Sequence, residues 1–138
     1  QLSRHPLVYN GDIIDTATWH RLQQQFPTIQ RWMIGRGVLA DPFLAKAIRG
    51  EQFNAEQRAA MLQAFHRDLY AGYRQSLAGP SHLLGRMKQI WFYLAASLPD
   101  QQKLWKKIKK TNTEEHYLEV IHTAFASFAK ATTKTGQD

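Results

Sequence analysis

Cysteine is absent from the 138 residues, which excludes disulfides, thiolate metal sites and cysteine nucleophiles within this stretch. No apolar run approaches the ~20 residues that a membrane-spanning helix requires, so no membrane partner is expected. The opening Gln1-Leu2-Ser3-Arg4-His5-Pro6 lacks the basic-then-apolar plan of a secretory signal and has no initiator Met. These features point to a cytoplasmic segment that begins inside a longer protein. The scarce charge is acidic: 11 Asp and Glu stand against 18 Lys and Arg, a formal net charge of +7. The imbalance is local. Residues 66–110 hold nine basic side chains against only Asp68 and Asp100, whereas the flanking stretches are close to balance. A localised basic block suits a polyanionic partner better than a diffuse excess does.

The residues present are enough to build a core: 43% are hydrophobic and 12% aromatic, in a length that suits one domain or two small ones. The first fifty residues read β-α-β-α. Leu7-Val8-Tyr9 and Arg31-Trp32-Met33-Ile34 are strand-like. Asp15 or Thr16 caps a helix through about Gln25 with Trp19, Leu22 and Phe26 at helical spacing, and Pro27 ends it. Asp41-Pro42 reads as an N-cap followed by proline at the first helical position, opening a helix that stops at Gly50. Beyond Gly50 the period is helical throughout. Asn54 opens a long helix with the stripe Met61, Leu62, Phe65, Leu69, Tyr73 and Leu77, ended by Gly79-Pro80. Ser81 starts the next, with the seam Leu84, Met87, Trp91, Leu94 and Leu98, and Pro99-Asp100 breaks it and caps a shorter helix to about Lys110. Asn112 with Glu115 forms a capping box for the last, which buries Leu118, Ile121, Phe125 and Phe128. Thr132–Asp138 is a polar, frayed tail.

The fold class expected is therefore mainly α: two β/α units over residues 1–50, a four-helix bundle over 51–131 and a tail over 132–138. Both strands end in a glycine turn, Asn10-Gly11-Asp12 and Gly35-Arg36-Gly37. Consecutive turns of this kind at the end of a (β/α) barrel make a phosphate grip, because glycine lets the backbone approach and a guanidinium can pair with the anion. The plainer reading is a pair of ordinary strand-ending turns. Asp12 would repel a phosphate, so it serves better by ordering its loop or by accepting a hydrogen bond from a backbone amide or Arg36.

Val8-Tyr9-Asn10-Gly11-Asp12-Ile13 and the run from Trp32 through Gly35-Arg36-Gly37 to Leu44 resemble the end of the barrel in bacterial tRNA-dihydrouridine synthases. Arg86-Met87-Lys88-Gln89-Ile90-Trp91-Phe92-Tyr93-Leu94 and Leu104-Trp105-Lys106-Lys107-Ile108-Lys109-Lys110 resemble their C-terminal helical domain, leaning to the C-type subfamily and hence to uridine 16 of the D-loop. The resemblance implies an oxidoreductase of tRNA processing, a flavoprotein in which FMN, reduced by NADPH, passes a hydride to a flipped-out uridine. It implies that the first fifty residues are the last two β/α units of a TIM-type barrel. On the same basis, Asn10, Gly11, Asp12, Gly35 and Arg36 surround the flavin phosphate, and the helical domain is RNA-binding. The family's catalytic acid is a cysteine, which this chain lacks, so no catalytic residue is expected here. Two of eight strands cannot close a barrel, so the chain alone is expected to be inactive and not to retain FMN. Residues 1–50 are expected to be loosely ordered or completed by another copy, and the four helices to fold alone.

Contact with tRNA is expected from Arg86, Lys88, Tyr93, Lys103, Lys106, Lys107, Lys109 and Lys110. Lys103, Lys106, Lys107 and Lys110 share one helical face, opposite Leu104, Trp105 and Ile108. A solvated face is the plainer alternative, but no acidic residue lies between Asp100 and Glu114 to relieve the repulsion. Arg86 and Lys88 flank Met87 on opposite sides. Arg86 lines up with Tyr93, a cation and an aromatic suited to RNA, while Lys88 can instead face the barrel or a neighbouring helix. No metal is expected, since the histidines, His116 and His122 included, show no ligand spacing. Trp91 and Trp105 read as core anchors. The alternatives are another FMN- or phosphate-binding barrel enzyme with a helical oligomerisation bundle, or a protein-interaction bundle with solvated lysines.

Overall fold

A computed structural model describes residues 5–134, without the side chains of residues 131–134. The chain is mainly helical and divides into two compact units, one ending at Gln52 and one beginning at Phe53. Among the described residues no helix is long and apolar enough to cross a membrane.

In the first unit, β1 (Val8–Gly11) and β2 (Arg31–Ile34) pair in parallel, with Tyr9 opposite Trp32 and Gly11 opposite Ile34. They are joined by α1 (Thr16–Gln25). Asp15 caps α1 by accepting from the Thr18 amide at 2.6 Å. That backbone bond holds its carboxyl below the ordinary value. The pleat sends Tyr9, Trp32 and Ile34 toward the helices, where Tyr9 lies 5.1 Å from Trp32 and Trp19 meets Trp32 edge-on at 6.3 Å. The opposite sheet face carries Val8, Asn10, Arg31 and Met33, all exposed. Val8 and Met33 are 53% and 52% exposed, an apolar face without a covering layer among the described residues.

The segment after β2 departs from expectation. Gly35-Arg36-Gly37 opens a short helix, α2 (Arg36–Ala40), and α3 (Leu44–Ile48) starts later than Asp41-Pro42 implied. The Asp41 carboxylate accepts from the Phe43 amide, two residues on, at 3.0 Å. It thereby closes a turn in place of a helix cap. Gly50, with φ of +89°, ends this segment as expected.

The second unit contains α4 (Ala55–Ser76), α5 (Pro80–Leu94), a 3-10 turn Ala95–Ser97, α6 (Gln101–Lys110) and α7 (Glu114–Lys134). Asn54 and Gln57 form a reciprocal capping box on α4 at 2.8 and 3.0 Å. Pro80, rather than Ser81, is the first residue of α5, after Gly79 at φ of +83°. Asp100 precedes α6 but has φ of +53° and makes no side-chain cap. The Thr113 hydroxyl, not Asn112, accepts from the His116 amide at the start of α7. That helix reaches Lys134, into the expected tail, whose residues 135–138 lie outside the described ones.

The seam Leu84, Met87, Trp91, Leu94 and Leu98 is buried as expected, as are Leu62, Ile121 and Phe125, but elsewhere α4 and α7 bury neighbours of the expected residues. Their buried rows are Ala59, Leu62, His66 and Tyr70 on α4 and Tyr117, Ile121 and Phe125 on α7, while Leu118 is 40% exposed. A polar network makes this possible. Trp91 Nε1 donates to the Tyr117 hydroxyl at 2.8 Å, and that oxygen lies 2.7 Å from His66 Nε2. An indole nitrogen only donates, so the phenol oxygen accepts from Trp91 and shares its other hydrogen bond with a neutral His66. Burial lowers His66 to a pKa of about 4 and pushes the Tyr117 phenol up, so both stay uncharged. Tyr70 donates to Glu114 at 2.5 Å and is pushed up to about 12 by burial and then by that bond. Tyr117→Phe removes one oxygen and strands two buried groups. It should destabilise the second unit by about 3 kcal/mol in urea unfolding; a loss below ~1 kcal/mol would show the network to be dispensable.

Candidate phosphate loops and nucleic-acid interface

The two glycine loops lie side by side in the first unit because parallel pairing sets Gly11 beside Ile34. The chain turns at once after β1, with the Ile13 amide bonded to the Gly11 carbonyl at 3.0 Å. Arg36 Nη2 then reaches both Asp12 carboxylate oxygens at 2.6 and 2.8 Å, so Asp12 takes the partner its position allowed. Both side chains are largely exposed, and such a pair adds little stability. Its effect is positional, joining loops 24 residues apart.

The three glycines differ in what their missing Cβ permits. At Gly37 a Cβ would sit 2.0 Å from the Ile13 carbonyl oxygen, so this glycine lets α2 press against the β1 loop. At Gly11 it would meet the Tyr9 ring at 2.7 Å. At Gly35 nothing lies within 4 Å. That open space leaves the Gly35 backbone free to be approached closely. Asn10, which precedes Gly11 and pairs with Met33, is exposed on the uncovered face of the sheet. Close packing accounts for Gly37, and the plainer turn reading accounts for Gly35, which joins β2 to α2.

The second candidate surface is on α5 and α6. Lys103, Lys106, Lys107, Lys109 and Lys110 are all exposed, and none is within ion-pair distance of an acid among the described residues. They divide between two sides of α6. Lys103, Lys107 and Lys110 line a groove of about 620 Å³ against α7, opposite Glu119, Val120 and Phe128. Lys106 and Lys109 lie outside that groove. Leu104, which also lines the groove, and Ile108 are buried, and Trp105 is half-buried.

Arg86 and Lys88 do separate as their spacing required, but Arg86 has partners other than Tyr93. The Arg86 guanidinium lies 6.0 Å from the centroid of the Tyr73 ring on α4 and donates to Gln89 at 3.1 Å. Tyr93, its expected companion, instead meets Phe92 edge-on at 5.0 Å. Lys88 does face a neighbouring helix. Its ammonium donates to the carbonyls of Thr111 and, at 3.2 Å, Lys109, where it closes the C-terminus of α6.

Sequence reasoning passed over Phe92, which is 60% exposed and meets Trp105 edge-on at 5.7 Å. It stands one residue past Trp91 on the seam, which places it off the buried face; that position was the available signal.

The chain is 29% identical over 136 residues to the tRNA-dihydrouridine(16) synthase of Ralstonia nicotianae. The alignment covers 96% of this chain and 41% of the relative's length. No family model and no solved structure matches. The resemblance read from the loops and basic helices is borne out by that similarity.

Proposed function

We propose that this chain is the C-terminal part of a cytoplasmic, FMN- and NADPH-dependent tRNA-dihydrouridine synthase acting on uridine 16, and that its own task is to grip tRNA. The observation that carries the reading is the lysine run of α6, a helix without an acidic residue, whose five exposed ammonium groups make no ion pair among the described residues. Such a surface lowers its self-repulsion by neutralising phosphates and releasing their counterions. The similarity to a tRNA-modifying enzyme supports RNA as the polyanion.

In the same reading, the uncovered sheet face with Val8, Asn10 and Met33 belongs to the interior of a (β/α) barrel. Asn10, Gly11 and Gly35 would hold the FMN phosphate together with Arg36, which Asp12 positions. When bound, FMN supplies the hydride that converts uridine to dihydrouridine. This chain's residues bind and orient; they include no catalytic acid. The chain by itself should therefore purify without stoichiometric flavin absorbance.

The test is a tRNA gel shift over a salt series. Affinity is expected to fall steeply with salt. K106E/K107E should weaken binding by ~10-fold or more and flatten the salt slope, with an unchanged melting curve because both side chains are exposed. Binding indifferent to salt, or unaffected by the double reversal, would overturn the reading.

A further inference from the structure

The α5–α6 surface holds a feature that phosphate contact does not explain. Phe92 leaves 60% of its surface in water. Its ring stands nearly perpendicular to both neighbours, at 76° to Trp105 and 88° to Tyr93. Trp105 and Tyr93 are each half-buried beside it. The position of this cluster follows from the helix register. Lys88 bonds to the Lys109 and Thr111 carbonyls, and Phe92, four residues after Lys88, meets Trp105, four residues before Lys109. The two helices therefore run antiparallel here, with Lys109 one turn beyond Trp105 on α6. Neither α5 nor α6 contains an acidic residue.

We infer that the Phe92–Trp105 pair is a stacking seat for one unpaired base of the bound RNA, with Lys109 and Lys106 meeting the adjoining phosphates. This deepens, and rests on, the tRNA reading above. An aromatic face accepts any base, because every base presents a π-surface, and cations beside it follow the sugar–phosphate chain. Base-paired nucleotides are already stacked and cannot use such a seat, so it selects loops, bulges and ends. A lysine surface alone would bind duplex and single strand by charge. The exposed Phe92 ring beside Trp105 adds a preference that charge cannot give. The same chemistry without RNA would suit an anionic membrane surface or another protein's apolar face, which the experiment separates.

The full chain is assayed against a tRNA transcript, a single-stranded RNA of about 12 nucleotides, within the range that one binding surface covers, and a blunt duplex of equal length. Phe92→Ala is expected to weaken tRNA and single-strand binding by ~10-fold or more, the order of one lost base stack. The salt slope and duplex affinity stay as in the wild type, because the lysines remain. Phe92→Leu, which keeps an apolar side chain but not the π-face, should lose as much. Tryptophan emission should be quenched by single-stranded RNA in the wild type and much less in Trp105→Phe. Wild-type affinity in both Phe92 variants overturns the seat, as does equal loss on the duplex. Phe92-dependent binding to phosphatidylserine vesicles with RNA binding untouched overturns it in favour of a membrane. If K106E/K107E loses tRNA while both Phe92 variants keep it, the seat fails and the tRNA reading stands. If the wild type retains no tRNA at all, both fail.

Discussion

Gly37→Ala is expected to disrupt the first unit while leaving the second intact. The added methyl carbon would lie 2.0 Å from the Ile13 carbonyl oxygen and 3.1 Å from Leu44 Cδ2. The first of these atoms is backbone and cannot rotate away, so the β1 loop and α2 must separate by more than an ångström. Ile13 and Leu44 are 1% and 2% exposed and, with Leu22, form the centre of this small core. A displacement there should cost about 3 kcal/mol, at the upper end for overpacking. That is a large share of the stability of so short a unit. Hydrogen exchange should show lost protection across β1, β2 and α1, with protection around Trp91 unchanged. Gly35→Ala is the matched control for crowding, since no atom lies within 4 Å of the added methyl. It should cost clearly less stability than Gly37→Ala and, in the proposed holoenzyme, weaken the hold on phosphate. Equal stability of Gly37→Ala and wild type would refute the packing role.

Mild acid is expected to destabilise the second unit through one side chain. His66 is held at a pKa of about 4 by burial, against 6.5 for the free imidazole. Above about 6.5 both folded and unfolded chains carry it neutral and its contribution is fully present. Between 6.5 and 4 the unfolded chain takes up a proton that the folded chain refuses, so stability declines as pH falls. The full decline is on the order of 3 kcal/mol, at about 1.4 kcal/mol per pKa unit. The rings around His66 are Tyr70, Trp91, Tyr117 and Phe125, none of which gains or loses charge in this window. Urea midpoints at pH 7 and pH 4.5 should differ clearly in the wild type and far less in His66→Phe. An equal pH dependence in that variant would place the titrating group elsewhere.

The two units differ in how far their sequence discloses them. Asp15, Gly50 and Asn54 act as their residue types predict, because caps and left-handed turns depend on a few neighbouring atoms. Asp41 did not. The same carboxylate can cap a helix or close a two-residue turn, and neither geometry is distinguishable in the string Asp-Pro-Phe. Likewise Leu118 looked like core and Tyr117 went unnamed, since periodicity ranks side chains by polarity. A phenol becomes a core residue only when partners meet its hydroxyl, and here they come from α4 and α5, 51 and 26 residues away in sequence. Phe92 was passed over for the converse reason, an aromatic left exposed where burial is the usual rule.

By itself, the sequence determined the β-α-β opening, the glycine loops that follow each strand, four later helices and an acid-free lysine run on the third of them. These follow from local stereochemistry and from charges that no folding event can remove. Tertiary structure decided which of two adjacent rows faces the core, that Asp12 holds Arg36, that Lys88 closes α6 and that Phe92 stands open beside Trp105. Each of those depends on a partner far away in the chain, because a hydrogen bond or a ring contact is a property of two positions in space and one sequence window contains only one of them.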